Sequence, residues 1–378
     1  MNKVLHITNW YPNKWNPHEA GFIKEHFKAC ENYAKQELWH IQIRNDGHYF
    51  SFFSGDYSEN EHYLILDTKI QVYRFQEILT LLLLIVLRMR LRKKWWDVTN
   101  VHIAYPLLRF TRIFKYMFGS LIIITEHWSA FRNSFFLPNK SKAARRIANI
   151  FSYNLPLIAV SKALMSDIVN FSGYKDFPKY IIPNVVDPDI FHPGETELDN
   201  VPVFLMVASW TPIKRPFLAM EAFSEILNDF PEAKLRIVGS GYHFKEMKDF
   251  VNTRKLQNSI QLLGPMDKYG IAKEMRQAKC FLHASDYETF SVVCAEALSC
   301  GVPVIASNVG GIPEFVNDEN GMLVENTHLS WTSALKKFIS GNFVKKNICE
   351  GSQKTFHPKT VGKRLMQIYE IIIAESGK

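Results

Sequence analysis

Two α/β domains, each built on a mostly parallel sheet, are what this sequence predicts, and three observations carry the prediction. The chain has 378 residues, more than the roughly 100–200 residues of one domain, so two cores of similar size are the natural expectation. Strand-like runs alternate with helix-like ones through both halves, the rhythm of a parallel sheet with crossover helices. Between the halves lies the densest cluster of chain breakers, Pro183-Asn184-Val185-Val186-Asp187-Pro188-Asp189 continuing through Pro193-Gly194, which puts the divide at about residue 195.

In the first half the strand-like runs are Val4 to Thr8, Leu121 to Thr125 and Leu155 to Val160, and helix-like stretches cover Phe22 to Lys35 and Ala143 to Phe151. The second half repeats the pattern more clearly. Strands are expected at 203–208, 235–238, 260–263, 280–284 and 303–306, and helices at 216–229, 243–255, 268–278 and 291–299. Pro231, Gly241, Gly264 and Gly301 punctuate the connections. Val361 to Glu375 is apolar-periodic and reads as a last helix. Ligands of open parallel sheets bind beyond the carboxyl ends of the strands, so function is to be sought in the loops that follow them.

Composition excludes little beyond disorder. Apolar residues make up 47% and charged residues 22%, ordinary for a globular chain. The five cysteines Cys30, Cys280, Cys294, Cys300 and Cys349 show no CxxC spacing and read as reduced core residues of a cytosolic protein. The start turns into strand-like alternation at once, so no export signal is expected and the protein is placed in the cytoplasm. A net charge of +8 favours an anionic partner: nucleic acid, a phosphorylated small molecule or a membrane face. Arg88, Arg90, Arg92, Lys93 and Lys94 directly follow the apolar run Ile78 to Leu87 and lead into Trp95 and Trp96. That suits a peripheral membrane contact through residues 78–96 on the inner face of the cytoplasmic membrane. It equally suits a buried helix whose basic end complements its dipole. The run is far short of the roughly 20 residues needed to span a bilayer. No nucleic-acid motif accompanies the charge, so no nucleic-acid partner is expected.

The chemistry is concentrated in His283-Ala284-Ser285-Asp286-Tyr287-Glu288-Thr289-Phe290-Ser291-Val292-Val293-Cys294-Ala295-Glu296. A strand feeds a loop and then a helix. The free amides and positive dipole end of a helix starting near Ser291 make an anion site suited to a diphosphate. Glu288 stands just before that site, and Glu296, over a turn inside the helix, can accept hydrogen bonds from vicinal hydroxyls. The natural ligand is a sugar linked to a nucleotide. Eight helical residues would span roughly 12 Å, wider than the paired carboxyls of most glycoside hydrolases, so the two glutamates read as substrate grips. The next strand delivers Ser307-Asn308-Val309-Gly310-Gly311-Ile312-Pro313-Glu314, whose glycines permit close backbone approach.

Two glutamates separated by seven residues, followed by a Gly-Gly-x-Pro-Glu loop, resemble the signature of the retaining glycosyltransferases of family four, also described as glycosyl transferases group 1. The resemblance extends over nearly the whole chain. It implies the GT-B fold, two Rossmann-like domains facing each other across a cleft. Residues 1–195 would be the acceptor-side domain, 196–355 the nucleotide-sugar domain, and 356–378 a helix crossing back to the first. Ile182 to Phe191 is similar to the family's interdomain segment, and Val207 to Pro216 to its phosphate-binding strand and loop. By that likeness Glu288 lies near the donor sugar and Glu296 on the ribose, while the amides around Phe290, Ser291 and Val292 meet the diphosphate. Lys214 would hold the phosphates, either alone or with Arg215 supplying a second cation. The family usually has an arginine five positions before the lysine, and here Ser209 stands there. Trp10-Tyr11-Pro12 through Gly21 resembles the loop that brings a glycine amide, here Gly21, to the donor phosphate. His127 in Thr125-Glu126-His127-Trp128 matches the histidine at the catalytic centre.

The implied activity is transfer of a sugar from a nucleotide-sugar donor to a hydroxyl of a glycan or lipid-linked acceptor, without a metal or other cofactor. The residues themselves exclude some rivals. Gly239-Ser240-Gly241 follows a strand, but Phe244 stands where a dinucleotide fingerprint needs glycine. No HExxH spacing occurs, and the proline inside Asp187-Pro188-Asp189 favours a turn over a metal site. A degenerate transferase that binds a sugar nucleotide or a partner without turnover is the alternative that Ser209 leaves open.

Overall fold

Unbroken apolar runs become strands buried on both faces only where helices cover the sheet on both sides, and that is the architecture found. The structure, a computed structural model, describes residues 1–376 apart from 18, 46–49, 71, 93, 120, 134, 136, 139–140, 195–200, 340 and 342, with the backbone alone of Tyr73. Met1–Val185 with Pro358–Lys378 form one compact unit, and Val186–His357 form the other. The chain leaves the first unit inside the breaker cluster. Residue 195, where the sequence puts the divide, and also His18 and Lys93 lie outside the described residues.

The first unit runs β1 (Lys3–Thr8), α1 (Gly21–Ala29), β2 (Lys35–Arg44), β3 (Phe50–Ser58), β4 (Glu61–Thr68), α2 (Tyr73–Arg90), β5 (Val98–His102), α3 (Thr111–Phe118) and β6 (Leu121–Glu126). It continues through α4 (Lys142–Ala148), β7 (Leu157–Ala159), α5 (Lys162–Ser172) and β8 (Lys179–Ile181). Its sheet has the order β3-β4-β2-β1-β5-β6-β7-β8, and only β3 runs antiparallel, to β4. The helix expected over Phe22 to Lys35 stops at Ala29, because Lys35 already starts β2, a strand buried on both faces from Glu37 to Ile41. Strands β2 to β5 and β8 go beyond the expected set. Ser161 caps α5 by accepting a hydrogen bond from the Leu164 amide at 3.0 Å.

The register decides what the strand ends present. His6 of β1 pairs with Asn100 of β5, Thr8 with His102, and His102 with Thr125 of β6, so polar residues fall in rows near the carboxyl ends. The order changes direction between β1 and β5, the switch point at which such sheets bind ligands.

The second unit runs β9 (Val203–Val207), α6 (Pro216–Ile226), β10 (Lys234–Val238), α7 (Phe244–Thr253), β11 (Ile260–Gly264), α8 (Lys268–Gln277) and β12 (Cys280–His283). Then come α9 (Val292–Ser299), β13 (Val304–Ser307), β14 (Gly321–Val324), α10 (His328–Ile339) and α11 (Lys345–Phe356). Its sheet is parallel with the order β11-β10-β9-β12-β13-β14, the doubly wound order whose switch point lies between β9 and β12. Phe204, Met206, Leu235, Ile237, Phe223 and Trp331 fill the core between this sheet and its helices. The last helix, α12 (Pro358–Ser376), packs on the first unit. Gly362 lets it approach α1 closely, since a Cβ there would fall on the carbonyl oxygen of Ala29. The fold class is the expected one, two Rossmann-like α/β units of the GT-B type.

Candidate functional site

In the second unit two loops leave the sheet at its switch point, and backbone hydrogen bonds stitch them together. The Arg215 amide donates to the Ala284 carbonyl at 3.1 Å and the Asp286 amide to the Ile213 carbonyl at 2.9 Å. Lys214 and Ser285 thereby face each other as an isolated antiparallel bridge. A second layer fixes this arrangement. Ser307 at the end of β13 accepts from the Ser285 amide at 3.0 Å and donates to Asn326 Oδ1 at 2.6 Å, and Asn326 Nδ2 returns to the Ser285 carbonyl at 2.9 Å.

The stitched loops bring Lys214 onto Glu288. The Lys214 ammonium is ion-paired with Glu288 Oε1, which also lies 2.7 Å from His283 Nε2. Both charged side chains are only 15% and 13% exposed, so the pair is poorly screened. Burial alone would push the Glu288 carboxyl up, but Lys214 and then His283 outweigh it and hold the group at about 2. Burial, then the Lys214 charge, lowers His283 against the opposing pull of Glu288. The result is an ionised carboxylate holding a cation at the switch point.

Glu288 lies in the loop before α9, so only Glu296 is helical, and the spacing expected for eight helical residues does not apply. The backbone at Glu288 is gripped from the other side. Its carbonyl accepts from the Gly311 amide at 3.0 Å, and a Cβ on Gly310, where φ is +54°, would fall on that same oxygen. The two glycines are therefore there for close approach. Ser291 enters α9 with φ 74° and ψ 80°, a left-handed conformation that costs a residue with a Cβ about 1–3 kcal/mol. Its hydroxyl turns inward to Cys294 Sγ at 3.1 Å, so no side chain caps the helix. The first amides of α9, beginning with Val292, are left for another acceptor. The Phe290 ring is core, 5.0 Å from Phe315 and edge-on to Phe356 at 5.6 Å, which leaves its backbone as the functional part. Glu296 is buried one turn into the helix.

The two other residues expected at the phosphates are Arg215 and Ser209. Arg215 Nη1 sits 3.3 Å from Asp286 Oδ1 at the surface and does not join Lys214 on Glu288. Ser209 is exposed after β9, and its carbonyl accepts from the Thr211 amide at 2.8 Å. Asp187-Pro188-Asp189 forms a turn, in which the Asp189 amide donates to Asp187 Oδ1 at 3.0 Å.

In the first unit the switch point holds a stack of histidines. His127 follows β6, with its ring 5.8 Å from His102, 5.2 Å from His26 and 4.7 Å from Phe22. Gly21 opens α1 next to Phe22, whose ring packs on His127; Ala20 before it is left-handed, with φ 46°. The ring nitrogens form a line: His6 Nδ1 is 3.1 Å from His102 Nε2, and His102 Nδ1 is 3.5 Å from His127 Nε2. Burial, reinforced by the neighbouring His26, holds His127 well below 6.5. Burial likewise lowers His6 to about 3 and His26 to about 4. These rings are neutral near pH 7 and act through hydrogen bonds. Glu126 beside them is pushed by burial up to about 7, although the amides of Ala104, Trp128 and His127 pull it down. A pocket of about 170 Å³ lies nearby, lined by Asn9, Trp10, Gln42, Gln76, Tyr105 and Trp128 among others. Among the described residues no group of three or more His, Cys, Asp or Glu side chains is arranged to hold a metal ion.

His283, Ser307 and Glu126 stand in the motif stretches with no role assigned to them, and Asn326 and His102 stand outside those stretches. A signal for them exists: each is a polar residue at or just beyond the end of an apolar strand, and in a parallel sheet that end is the ligand side.

Residues 189–354 match the family model of glycosyl transferases group 1. The second unit is a group 1 glycosyl transferase domain. Curated relatives agree with that membership. One subunit of the phosphatidylinositol N-acetylglucosaminyltransferase of Arabidopsis thaliana is 24% identical over 56% of this chain and 45% of its own length. D-inositol 3-phosphate glycosyltransferase of Kineococcus radiotolerans is 28% identical over 48% of each. Poly(glycerol-phosphate) alpha-glucosyltransferase of Bacillus subtilis is 28% identical over 52% of this chain and 30% of its own length. The chain thus spans less than half the length of these relatives. Outside the group 1 domain the fold is matched as well. Sucrose-phosphate synthase from Thermosynechococcus elongatus superposes with a TM-score of 0.76 at 17% identity, covering 99% of this chain and 100% of that one. Anabaena HepE in complex with UDP and glucose does so with a TM-score of 0.74 at 15% identity, over 98% and 100%.

Proposed function

We propose that this chain transfers a sugar from a nucleotide-sugar donor to a hydroxyl group with retention of configuration. The observation that carries the reading is the Lys214–Glu288 ion pair beside the uncapped start of α9, at the switch point of a group 1 glycosyl transferase domain. In the transfer step the bond from the anomeric carbon to the diphosphate oxygen breaks and a bond to the acceptor oxygen forms on the same face. The acceptor proton passes to the departing diphosphate, so no protein nucleophile is required. Lys214 and the amides from Phe290 to Val292 stabilise the charge on the leaving group. Glu288 releases Lys214 to the phosphates and takes the donor sugar's hydroxyls, and Glu296 takes the ribose. Ser209 and Arg215 flank this site as weaker phosphate contacts. Gly21 and His127 are the first unit's candidates for touching the donor.

The pocket lined by Trp10, Tyr105 and Trp128 suits the acceptor, because aromatic faces cover the apolar side of a sugar ring while amides meet its hydroxyls. Relatives named for phosphatidylinositol, inositol 3-phosphate and poly(glycerol-phosphate) support an acceptor that carries phosphate, in glycan or lipid-linked glycan assembly. The reaction takes no metal ion in this reading, and activity is expected to survive chelation.

The test is transfer from a panel of radiolabelled nucleotide sugars by the wild type and by Glu288→Ala. Transfer by the wild type with a loss on the order of a hundredfold in the variant supports the assignment. Undiminished transfer in the variant contradicts it, and tight nucleotide binding without transfer to any acceptor would mark a binding protein instead.

A further inference from the structure

α2 is apolar on two sides, and only one of them has a partner within the described residues. Leu79, Leu83, Leu84 and Leu87 are buried on the inner side. On the other, Phe75, Ile78, Leu82, Ile85 and Met89 recur every three or four residues and are 38–59% exposed. A helix that is apolar all round is ordinarily enclosed, and this one leaves a full stripe in the open.

Neighbouring elements widen the stripe. Arg88 Nε donates to the Met117 carbonyl of α3 at 2.5 Å, and α3 exposes Ile113 and Tyr116 by 42% and 91%. Arg90 donates to Ser54 Oγ at 3.2 Å on the edge strand β3. Alternate side chains of a strand share a face, so Phe52 and Phe50, 50% and 58% exposed, lie on the face of Ser54.

The charges around the stripe are predominantly positive. Arg90, Arg92, Arg112 and Lys115 are exposed, Lys94 is ion-paired with the buried Glu37 at 2.6 Å, and no acidic residue occurs from Ile78 to Trp96 or within α3. Glu77, the acid of α2, is buried on the inner side against Arg109 and Arg146. Asp56, next after Ser54 on the β3 face, is an exposed acid in contact with His62 at the end of that face. A second copy of this face would meet it with like charges, which opposes self-association.

We propose that α2, α3 and the edge of β3 together form a docking surface for an anionic lipid bilayer. The apolar stripe sits at the acyl boundary and Arg90, Arg92, Arg112 and Lys115 lie among the phosphate headgroups. α2 lies in the plane of the interface, since no helix of the described residues is long and apolar enough to cross a membrane. The surface uses none of the residues assigned to sugar transfer, so it stands or falls separately from that reading.

Co-sedimentation with vesicles decides it. The full chain is expected to pellet with vesicles of equal parts phosphatidylcholine and phosphatidylglycerol, to be released by high salt, and to stay in solution with phosphatidylcholine alone. Leu82→Glu with Ile85→Glu, and separately Arg90→Glu with Arg92→Glu, should each weaken binding at least about tenfold. Circular dichroism and the thermal midpoint show that these surface variants remain folded. Wild-type protein that ignores the anionic vesicles, or variants that pellet as well as wild type, would overturn the proposal. So would self-association of the wild type that Leu82→Glu with Ile85→Glu abolishes, which would give the face to a second copy.

Discussion

The two switch points are built in opposite ways. In the second unit the candidate site comes from two short stretches, Ser209 to Arg215 and His283 to Glu296, joined by a Lys214–Glu288 ion pair that holds a charge at low exposure. In the first unit it comes from single residues on separate elements, His6, His26, His102 and His127, whose burial keeps them neutral. One site is poised by charge and the other by hydrogen bonding. A contiguous charged constellation can be read from the order of its residues, whereas a dispersed neutral one exists only once the register is set.

Acidification should separate the two most sharply. A buried histidine with its folded value below the unfolded 6.5 binds its proton in the unfolded state first. Stability is then whole above about pH 6.5 and falls as pH drops toward the folded values, by up to about 1.4 kcal/mol per pH unit for each histidine. Glu126, raised to about 7, works the other way between 4.5 and 7 and recovers part of the loss. Glu288, held at about 2, keeps its contribution until pH falls below 4.5. Thermal unfolding followed from pH 7.5 down to 5 should therefore show a falling midpoint, and His102→Asn with His6→Asn should flatten the slope. A flat profile in the wild type would remove the neutral histidine stack from the account.

Lys214→Ala tests the charged site. It leaves Glu288 with His283 alone, and transfer from a nucleotide sugar should fall on the order of a hundredfold, measured as kcat/KM. The smallest effect is expected from Ser209→Arg. A cation added beside Lys214 should lower KM for the donor by roughly fivefold while kcat changes little; an unchanged KM would show that position 209 does not face the phosphates.

How much of this was legible follows the same division. In the second unit the period-2 runs, the breakers and the glutamate pair stand in sequence order, and each of the five expected strands and four expected helices has a counterpart. β14, α10 and α11 were not anticipated. Lys214 reaches Glu288, 74 residues away, through the bridge between Lys214 and Ser285, a contact that no local pattern states. In the first unit the helix expected through Lys35 ends early, because the chain turns at Cys30 and re-enters the sheet as β2. The apolar run from Ile78 forms a helix that is buried on one side and bare on the other, so the enclosed-helix reading holds for one face only. Sequence periodicity could not separate these, since leucine or isoleucine stands on both faces.

The central claim concerns one pyrophosphate. Crystals soaked with UDP or GDP should show it on the amides at the start of α9, with the Lys214 ammonium drawn from Glu288 to a phosphate oxygen and Glu296 on the ribose hydroxyls. A nucleotide bound elsewhere, with the Lys214–Glu288 pair undisturbed, would contradict it.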